Sequence, residues 1–305
     1  MIIIDKIKIC FKRDNESQLW QMMAEEPEVL HIGDFEFVRC TPDGMYNGIY
    51  YVYYLKRDFG TLLFDRFSDR EHKYSWLSVK NHVFYTDDFV KLNDLQSVLG
   101  EINNITNLDI ACDLNYNPVP RIKKLLKRDD VAIVRCGTKI DNKKQEIEGL
   151  LFLHPTNSVR ELAPTLYFSD ADKRKSFVVY DKMKEIKKSG KPYIAEYYGN
   201  PKRLYRMEIR LKSDELFRYF KKYSITPTIN MVLDRTFIQS MYFEFLFRLL
   251  HITYKRKSIG LLEAVSALKD GYELDTLCGK VQPQVYNHNR HWNTKHIPTD
   301  TLHEF

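Results

Sequence analysis

The sequence predicts an α+β protein with a mixed, mostly antiparallel sheet, helices on one side of that sheet, and a helical C-terminal region. Three observations support this prediction. The chain has 305 residues, of which 44% are hydrophobic, so it can bury one large core or two ordinary ones. Alternating and helical segments follow one another as strand, helix, strand, helix, strand and then several strands. Helical patterns dominate the last quarter of the chain.

The individual elements follow from alternation, capping residues and turn residues. Strands are predicted at 2–11, 36–40, 48–55, 60–67, 74–85, 107–115, 131–137, 149–153, 165–169, 175–181 and 203–211. Helices are predicted at 16–25, 89–102, 119–127, 216–223, 235–250 and 258–269. Two helix starts carry acidic residues, Asp87 with Asp88, and Asp214 with Glu215, as the helix dipole favours.

These elements predict two domains. Residues 1–222 form an α+β domain whose functional strands lie within 105–212, and residues 223–305 form a helical region with a polar tail. The helical region carries Lys255, Arg256 and Lys257. We expect it to grip a duplex or to pair two protomers into a homodimer, and to do no chemistry.

The charge of the chain is modest, but its distribution indicates a polyanionic partner. The formal net charge is +6, and the basic residues cluster among aromatic ones at 121–128, 173–175, 182–191 and 255–257. A single cluster of this kind is more often a solvated face, whereas four clusters favour a nucleic acid. The candidate DNA-binding residues are Lys123, Lys124, Lys127, Arg128, Lys173, Arg174, Lys175, Lys255, Arg256 and Lys257.

The five cysteines are far apart and contain no Cys-x-x-Cys pair. This spacing argues against a disulfide framework or a zinc site and predicts a reducing, cytoplasmic location. The sequence also lacks an apolar run of the roughly 18 residues that span a bilayer, so no membrane association is expected.

The predicted strand 175–181 ends in a tyrosine that could attack a phosphodiester. Alternation places Tyr180 and Lys182 on one face, with Phe177 and Val179 on the other. A tyrosine oxygen can hold a DNA end covalently, and a 3′-hydroxyl can reverse the ester. The alternative is a packing role, since the chain has 20 tyrosines.

Two other strands place ionisable residues on one face and apolar residues on the other. Asp109 and Asp113 share a face of the predicted strand 107–115, and the strand 203–211 carries Arg206, Glu208 and Arg210. Carboxylates suit Mg²⁺ or Mn²⁺, which would offset the charge of a phosphodiester, so the candidate metal ligands are Asp109, Asp113 and Glu208. The candidate catalytic residues are Tyr180, Lys182, Arg206 and Arg210, whose cations would stabilise a transition state. Each strand could instead be an ordinary half-exposed strand.

The order of the segments NLDIACDLNY, TLYFSD, KSFVVYDK and YRMEIRLK resembles the replication initiation factor family, over about residues 75–215. That family groups rolling-circle initiators of plasmids and phages with related relaxases. The resemblance implies a metal-dependent nickase that cuts a replication origin and frees a 3′-hydroxyl. Tyr180 falls at the position of the nucleophile, the three acidic residues at acidic positions, and Lys182, Arg206 and Arg210 at basic ones. The family's arginine before the first aspartate and its glycine after Leu-Tyr-x are absent here.

The resemblance also implies the partners. These are origin DNA, as duplex and as single strand, together with a host helicase and polymerase, since the chain has no Walker A loop. Three alternatives remain open: a relaxase of a mobile element, a non-catalytic DNA-binding regulator on the same fold, and an RNA-binding protein.

Overall fold

The computed structural model describes residues 1–13, 21, 28–32, 35–40, 50–55, 59–65, 73–139, 166–169 and 173–280. The predicted strand 149–153, the polar tail beyond residue 280 and most of the predicted helix 16–25 lie outside these residues. The α+β class is confirmed, with a mostly antiparallel arrangement of strands. No helix in the described ranges is long and apolar enough to cross a membrane.

The strands occupy most of the predicted positions. They are β1 Ile2–Arg13, β2 Val29–Ile32, β3 Phe35–Cys40, β4 Tyr50–Leu55, β5 Gly60–Asp65, β6 Lys73–Val79, β7 Ile102–Leu114, β8 Val131–Arg135, β9 Thr138–Lys139, β10 Leu166–Ser169, β11 Lys175–Asp181, β12 Tyr205–Lys212, β13 Leu250–Tyr254 and β14 Lys257–Gly260.

The α-helices are Lys91–Leu99, Val119–Lys127, Lys182–Ser189, Pro192–Tyr197, Ser213–Lys222, Ile229–Leu233, Arg235–Leu249, Leu261–Lys269 and Leu274–Lys280. Two 3-10 helices, Asn81–Tyr85 and Asp87–Val90, precede the first of them. They replace the end of the predicted strand 74–85 and the start of the predicted helix 89–102.

The chain divides into two compact units that interleave along the sequence. The first contains residues 1–3, 110–210 and 236–305, and the second contains residues 4–109 and 211–235. The predicted functional division at residues 222 and 223 stays a prediction.

The second unit is an antiparallel sheet with the strand order β7-β1-β6-β5-β4-β3-β2. Ile7, Ile9 and Phe11 of β1 are fully buried, as are Leu62 and Leu77 of β5 and β6. Burial of such side chains is worth roughly 1.5–3 kcal/mol each, so this apolar layer is the main source of the unit's stability.

The first unit contains two sheets. One has the strand order β10-β11-β12-β7, and the other has the order β14-β13-β8-β9. Helix Arg235–Leu249 is tied to β12, because the buried Tyr242 hydroxyl donates a hydrogen bond to the Met207 carbonyl at 3.0 Å. Burial raises the pKa of Tyr242 well above its ordinary value, so this phenol remains protonated and serves packing.

Within residues 223–280, the described part of the C-terminal region, the helices are interrupted by a β-hairpin, which differs from the prediction. Residues 250–260 form β13 and β14, joined by a two-residue turn at Lys255 and Arg256. The β-branched and aromatic residues Ile252, Thr253, Tyr254 and Ile259 favour this extended structure.

Candidate functional site

The three strands that carry the ionisable residues are neighbours in the first unit. β12 lies between β11 and β7 in the sheet order, so the faces predicted to carry Tyr180, Glu208 and Asp113 are brought together. Alternation along β12 places Arg206 and Glu208 on the same face of the sheet, where Arg206 meets Asp113 of β7 and Glu208 meets Tyr180 of β11.

The centre of the candidate site is a buried carboxylate with two partners. The Tyr180 hydroxyl donates a hydrogen bond to Glu208 Oε2 at 2.7 Å. Arg210 Nε donates to the other oxygen, Oε1, at 2.6 Å. The Glu208 side chain is only 2% exposed, whereas that of Arg210 is 46% exposed. The hydrogen-bond acceptor, Glu208, is therefore buried, whereas its two donors, the Tyr180 phenol and the Arg210 guanidinium, are partly exposed to solvent.

The position of Tyr180 follows from how its strand ends. Phe177 and Val179 are fully buried and fix β11 against the core. The Asp181 side chain then accepts a hydrogen bond from the Lys184 backbone N–H at 3.0 Å and caps helix Lys182–Ser189. Gly190, with φ of 66°, ends that helix in the left-handed conformation that glycine adopts without strain. Tyr180 is half-buried at the junction of a rigid strand and a rigid helix.

Lys182 is the first residue of that helix and is 2% exposed. Its ammonium group lies 2.7 Å from Glu185 Oε2 and 5.7 Å from the centroid of the Tyr180 ring. A cation over an aromatic face is favourable, and it also brings positive potential to the phenol. The structure therefore places Lys182 near Tyr180, but Lys182 begins a helix and does not continue the strand on which alternation was expected to place it.

Arg206 and Asp113 form a separate, fully buried ion pair. Arg206 Nε and Nη2 donate to the two oxygens of Asp113, each at 2.6 Å, and both side chains have 0% exposure. The Tyr198 hydroxyl adds a third hydrogen bond to Asp113, at 2.7 Å. Both oxygens of Asp113 are thus engaged, and the geometry is that of an internal bidentate pair.

The metal-binding prediction has no preformed site to support it. Asp109 belongs to the second unit, where its side chain is 8% exposed, and Asp113 and Glu208 have the partners described above. In the part of the chain that the structure describes, no group of three or more His, Cys, Asp or Glu side chains could hold a metal ion. As these side chains stand, they do not fit a divalent cation, and metal binding stays a prediction.

The predicted DNA-binding residues all lie in the first unit. Lys124 and Lys127 are exposed and Lys123 is half-buried on helix Val119–Lys127, whose opposite face is buried. At the start of β11, Lys173 is exposed, whereas Arg174 and Lys175 are half-buried. Lys255, Arg256 and Lys257 are exposed at the β13–β14 turn.

The structure joins the two basic clusters at 121–128 and 255–257. The Arg128 guanidinium lies 5.5 Å from the centroid of the Tyr254 ring, and the Lys255 ammonium lies 5.4 Å from it. Val131 and Tyr254 are register partners in β8 and β13, which brings the end of helix Val119–Lys127 to the hairpin turn.

Two features of the site were not predicted. Tyr198 was not a candidate, although it completes the hydrogen bonds of Asp113. Helix Lys182–Ser189 was read only as a basic run, although Asp181 before it and Gly190 after it are a typical start and stop signal.

No protein-family profile matches the chain, and no curated protein matches it. Among solved structures, the chain is similar to the rolling circle replication initiator protein from Geobacillus stearothermophilus, with 15% sequence identity. The similarity covers 83% of this chain and 86% of that one, with a TM-score of 0.43.

Proposed function

We propose that this protein is a rolling-circle replication initiator that nicks one strand of origin DNA with Tyr180 as the nucleophile. The observation that supports the proposal is the 2.7 Å hydrogen bond from the Tyr180 hydroxyl to the buried Glu208 carboxylate. A free phenol has a pKa of about 10 and attacks poorly at neutral pH, so it needs a base within hydrogen-bond reach. Glu208 has the required position and can accept the proton.

The proposed reaction is a transesterification. The Tyr180 proton passes to Glu208 Oε2 as the phenol oxygen attacks phosphorus, and a new O–P bond forms. The bond between phosphorus and the 3′-oxygen breaks, that oxygen takes up a proton from solvent, and Glu208 returns its proton to solvent, so the protons balance. The products are a 5′-phosphotyrosine link and a free 3′-hydroxyl. The phosphotyrosine ester conserves the energy of the broken phosphodiester bond, so the 3′-hydroxyl can attack it and close the strand again.

Two cations would offset the negative charge that develops on the phenol oxygen and the phosphate in the proposed transition state. Arg210 contacts Glu208 through Nε and is 46% exposed, so an incoming phosphate can approach its guanidinium from solvent. Lys182 lies beside the Tyr180 ring and lowers the cost of a phenolate in the transition state. Arg206 is fully buried with Asp113, so its role in the proposal is to fix β12 against β7.

The test is incubation of the full chain with supercoiled DNA of the element that encodes it. The proposal expects open-circular product and a protein that stays attached to DNA through denaturing electrophoresis. Salt-dependent binding without an adduct or a nick would contradict the nicking proposal and favour a non-catalytic regulator.

Glu208→Gln tests the proton acceptor. The amide keeps the size of the side chain and can still accept from Tyr180, but it takes up a proton poorly. We expect the nicking rate to fall by about 10²–10⁴-fold, with DNA affinity unchanged. Glu196→Gln, a change of the same kind at an exposed position of helix Pro192–Tyr197, is the control and should keep the wild-type rate. Equal rates in the two variants would remove Glu208 from the mechanism.

Metal dependence is the prediction that the site geometry supports least. A divalent ion at Glu208 would have to displace the Tyr180 hydroxyl or Arg210 from the carboxylate. If the predicted ligands bind a metal ion, nicking should stop in excess chelator and return with Mn²⁺. It should also be lost in Asp109→Ala, with the fold intact. Cleavage at the full rate in chelator would contradict that set and leave Glu208 as a base alone.

A further inference from the structure

The turn between β13 and β14 has a conformation that its residues do not favour. Tyr254 and Lys257 are register partners, so Lys255 and Arg256 form a two-residue loop. Their φ angles are 47° and 64°, the left-handed values that a type I′ hairpin turn requires at both positions. Asn-Gly is the usual sequence of such turns, because a Cβ atom is strained at positive φ.

The other turn of the same sheet provides an internal comparison. β8 and β9 are also joined by two residues with positive φ, Cys136 at 49° and Gly137 at 83°. That turn uses a glycine in its second position, whereas the β13–β14 turn has an arginine there. Strained backbone conformations cluster at functional sites, so an arginine at this position favours a role for its side chain.

The contacts at the turn engage two of its three exposed basic side chains. Lys255 Nζ is hydrogen-bonded to Asp275 Oδ1 at 2.5 Å, which raises the pKa of Lys255 above its ordinary value. Lys257 Nζ donates to the Cys278 carbonyl. Both lysines thus tie the turn to helix Leu274–Lys280. Arg256 is exposed, and among the described residues it has no hydrogen bond or ion pair.

The surroundings of the turn indicate which ligand would suit it. Tyr254 is only 6% exposed, and the cations of Arg128 and Lys255 lie close to its ring. The ring therefore cannot serve as a stacking platform for an unpaired base. A two-stranded ribbon, by contrast, fits the major groove of B-DNA, which is about 12 Å wide.

The turn and the contact between the small sheet and β10 are at opposite ends of the small sheet. Arg135 Nη2 donates to the Ser169 carbonyl of β10 at 2.8 Å, and Arg135 is the register partner of Leu250. Tyr254 lies four residues further along β13, about 13 Å from that contact at the usual rise of a strand. The turn therefore lies at the far end of the small sheet.

We propose that the Lys255–Arg256 turn is a duplex-binding ribbon, in which Arg256 contacts the phosphates or base edges of double-stranded DNA. The inference deepens the proposed function, since it takes the ligand to be DNA. It assigns duplex binding to a surface separate from the nicking site, and the strained conformation serves to present the arginine.

The test is Arg256→Gly in the full chain, with binding measured on a labelled origin duplex and on its single strand. Glycine suits the φ of 64°, so the melting temperature should stay equal or rise. We expect the Kd for duplex to increase by at least about fivefold and the salt dependence to lose about one ion, with little change for the single strand. Arg256→Lys keeps the charge, so its Kd for duplex should lie between those of the wild type and Arg256→Gly.

Arg218→Gln is the matched control, because it removes one exposed arginine charge from helix Ser213–Lys222. Unchanged duplex affinity in Arg256→Gly, or an equal loss in Arg218→Gln, would overturn the inference. The same proteins are assayed for covalent adduct on the single strand. If the adduct forms but Arg256→Gly binds duplex as the wild type does, only the ribbon proposal is refuted. If Arg256→Gly binds duplex more weakly but no adduct forms, only the nicking proposal is refuted.

Discussion

In Tyr180→Phe, nicking and the covalent protein–DNA species should disappear together, while origin binding persists. The substitution removes the attacking oxygen and nothing else. The lost hydrogen bond to Glu208 should lower the free energy of unfolding by only about 1–2 kcal/mol, since Glu208 keeps Arg210 as a partner. The measurement is a denaturing gel of end-labelled origin oligonucleotide after incubation with each protein.

Tyr167→Phe is the control for this experiment. Tyr167 lies on the neighbouring strand β10, opposite Val178, and is the next candidate for the nucleophile. Its variant should form the adduct at the wild-type level. A covalent band that survives in Tyr180→Phe and is lost in Tyr167→Phe would move the nucleophile to β10.

Asp113→Ala should cause the largest loss of stability among single substitutions in the site. Arg206 has 0% exposure, so removing Asp113 leaves a charge buried without its carboxylate and Tyr198 without its acceptor. Breaking a buried pair in this way costs about 3–5 kcal/mol, a large part of the stability of an ordinary domain. Denaturant unfolding of the purified variants measures the effect.

The double variant Asp113→Leu with Arg206→Met separates pairing from packing. Two apolar side chains of similar size remove both charges, and most of the lost stability should return. If Asp113 instead held a catalytic metal, Asp113→Ala would lose activity with its unfolding midpoint unchanged. That result would contradict the structural role inferred from the ion pair.

The sequence was informative wherever a strand alternates. Alternation correctly predicted that Phe177 and Val179 of β11 and Met207 and Ile209 of β12 are buried in the core. It placed Tyr180 and Glu208 on the other faces, but did not predict that Val178 and Glu208 on those faces are buried as well. Helix Val119–Lys127 was predicted at both ends because two prolines near its start and a polar break at its end limit it.

The errors and omissions have a common physical cause, which is that alternation gives the face of a residue and not its partner. Asp113, Arg206 and Glu208 were assigned to the polar faces of their strands, yet pattern alone cannot show that all three are buried, or that Asp113 meets Arg206 while Glu208 meets Tyr180. The β13–β14 hairpin was missed because Lys255 and Arg256 are not the residues that predict a type I′ turn.

The interleaving of the two compact units has a consequence for how the protein can be dissected. The chain passes from one unit to the other after residues 3, 109, 210 and 235, so no contiguous fragment contains the first unit without much of the second. A truncation at residue 222 would also remove Tyr242, whose hydroxyl holds the backbone next to Glu208. A deletion would therefore abolish folding and would not show what the deleted residues do. Single substitutions in the intact chain are the way to assign a function to a residue.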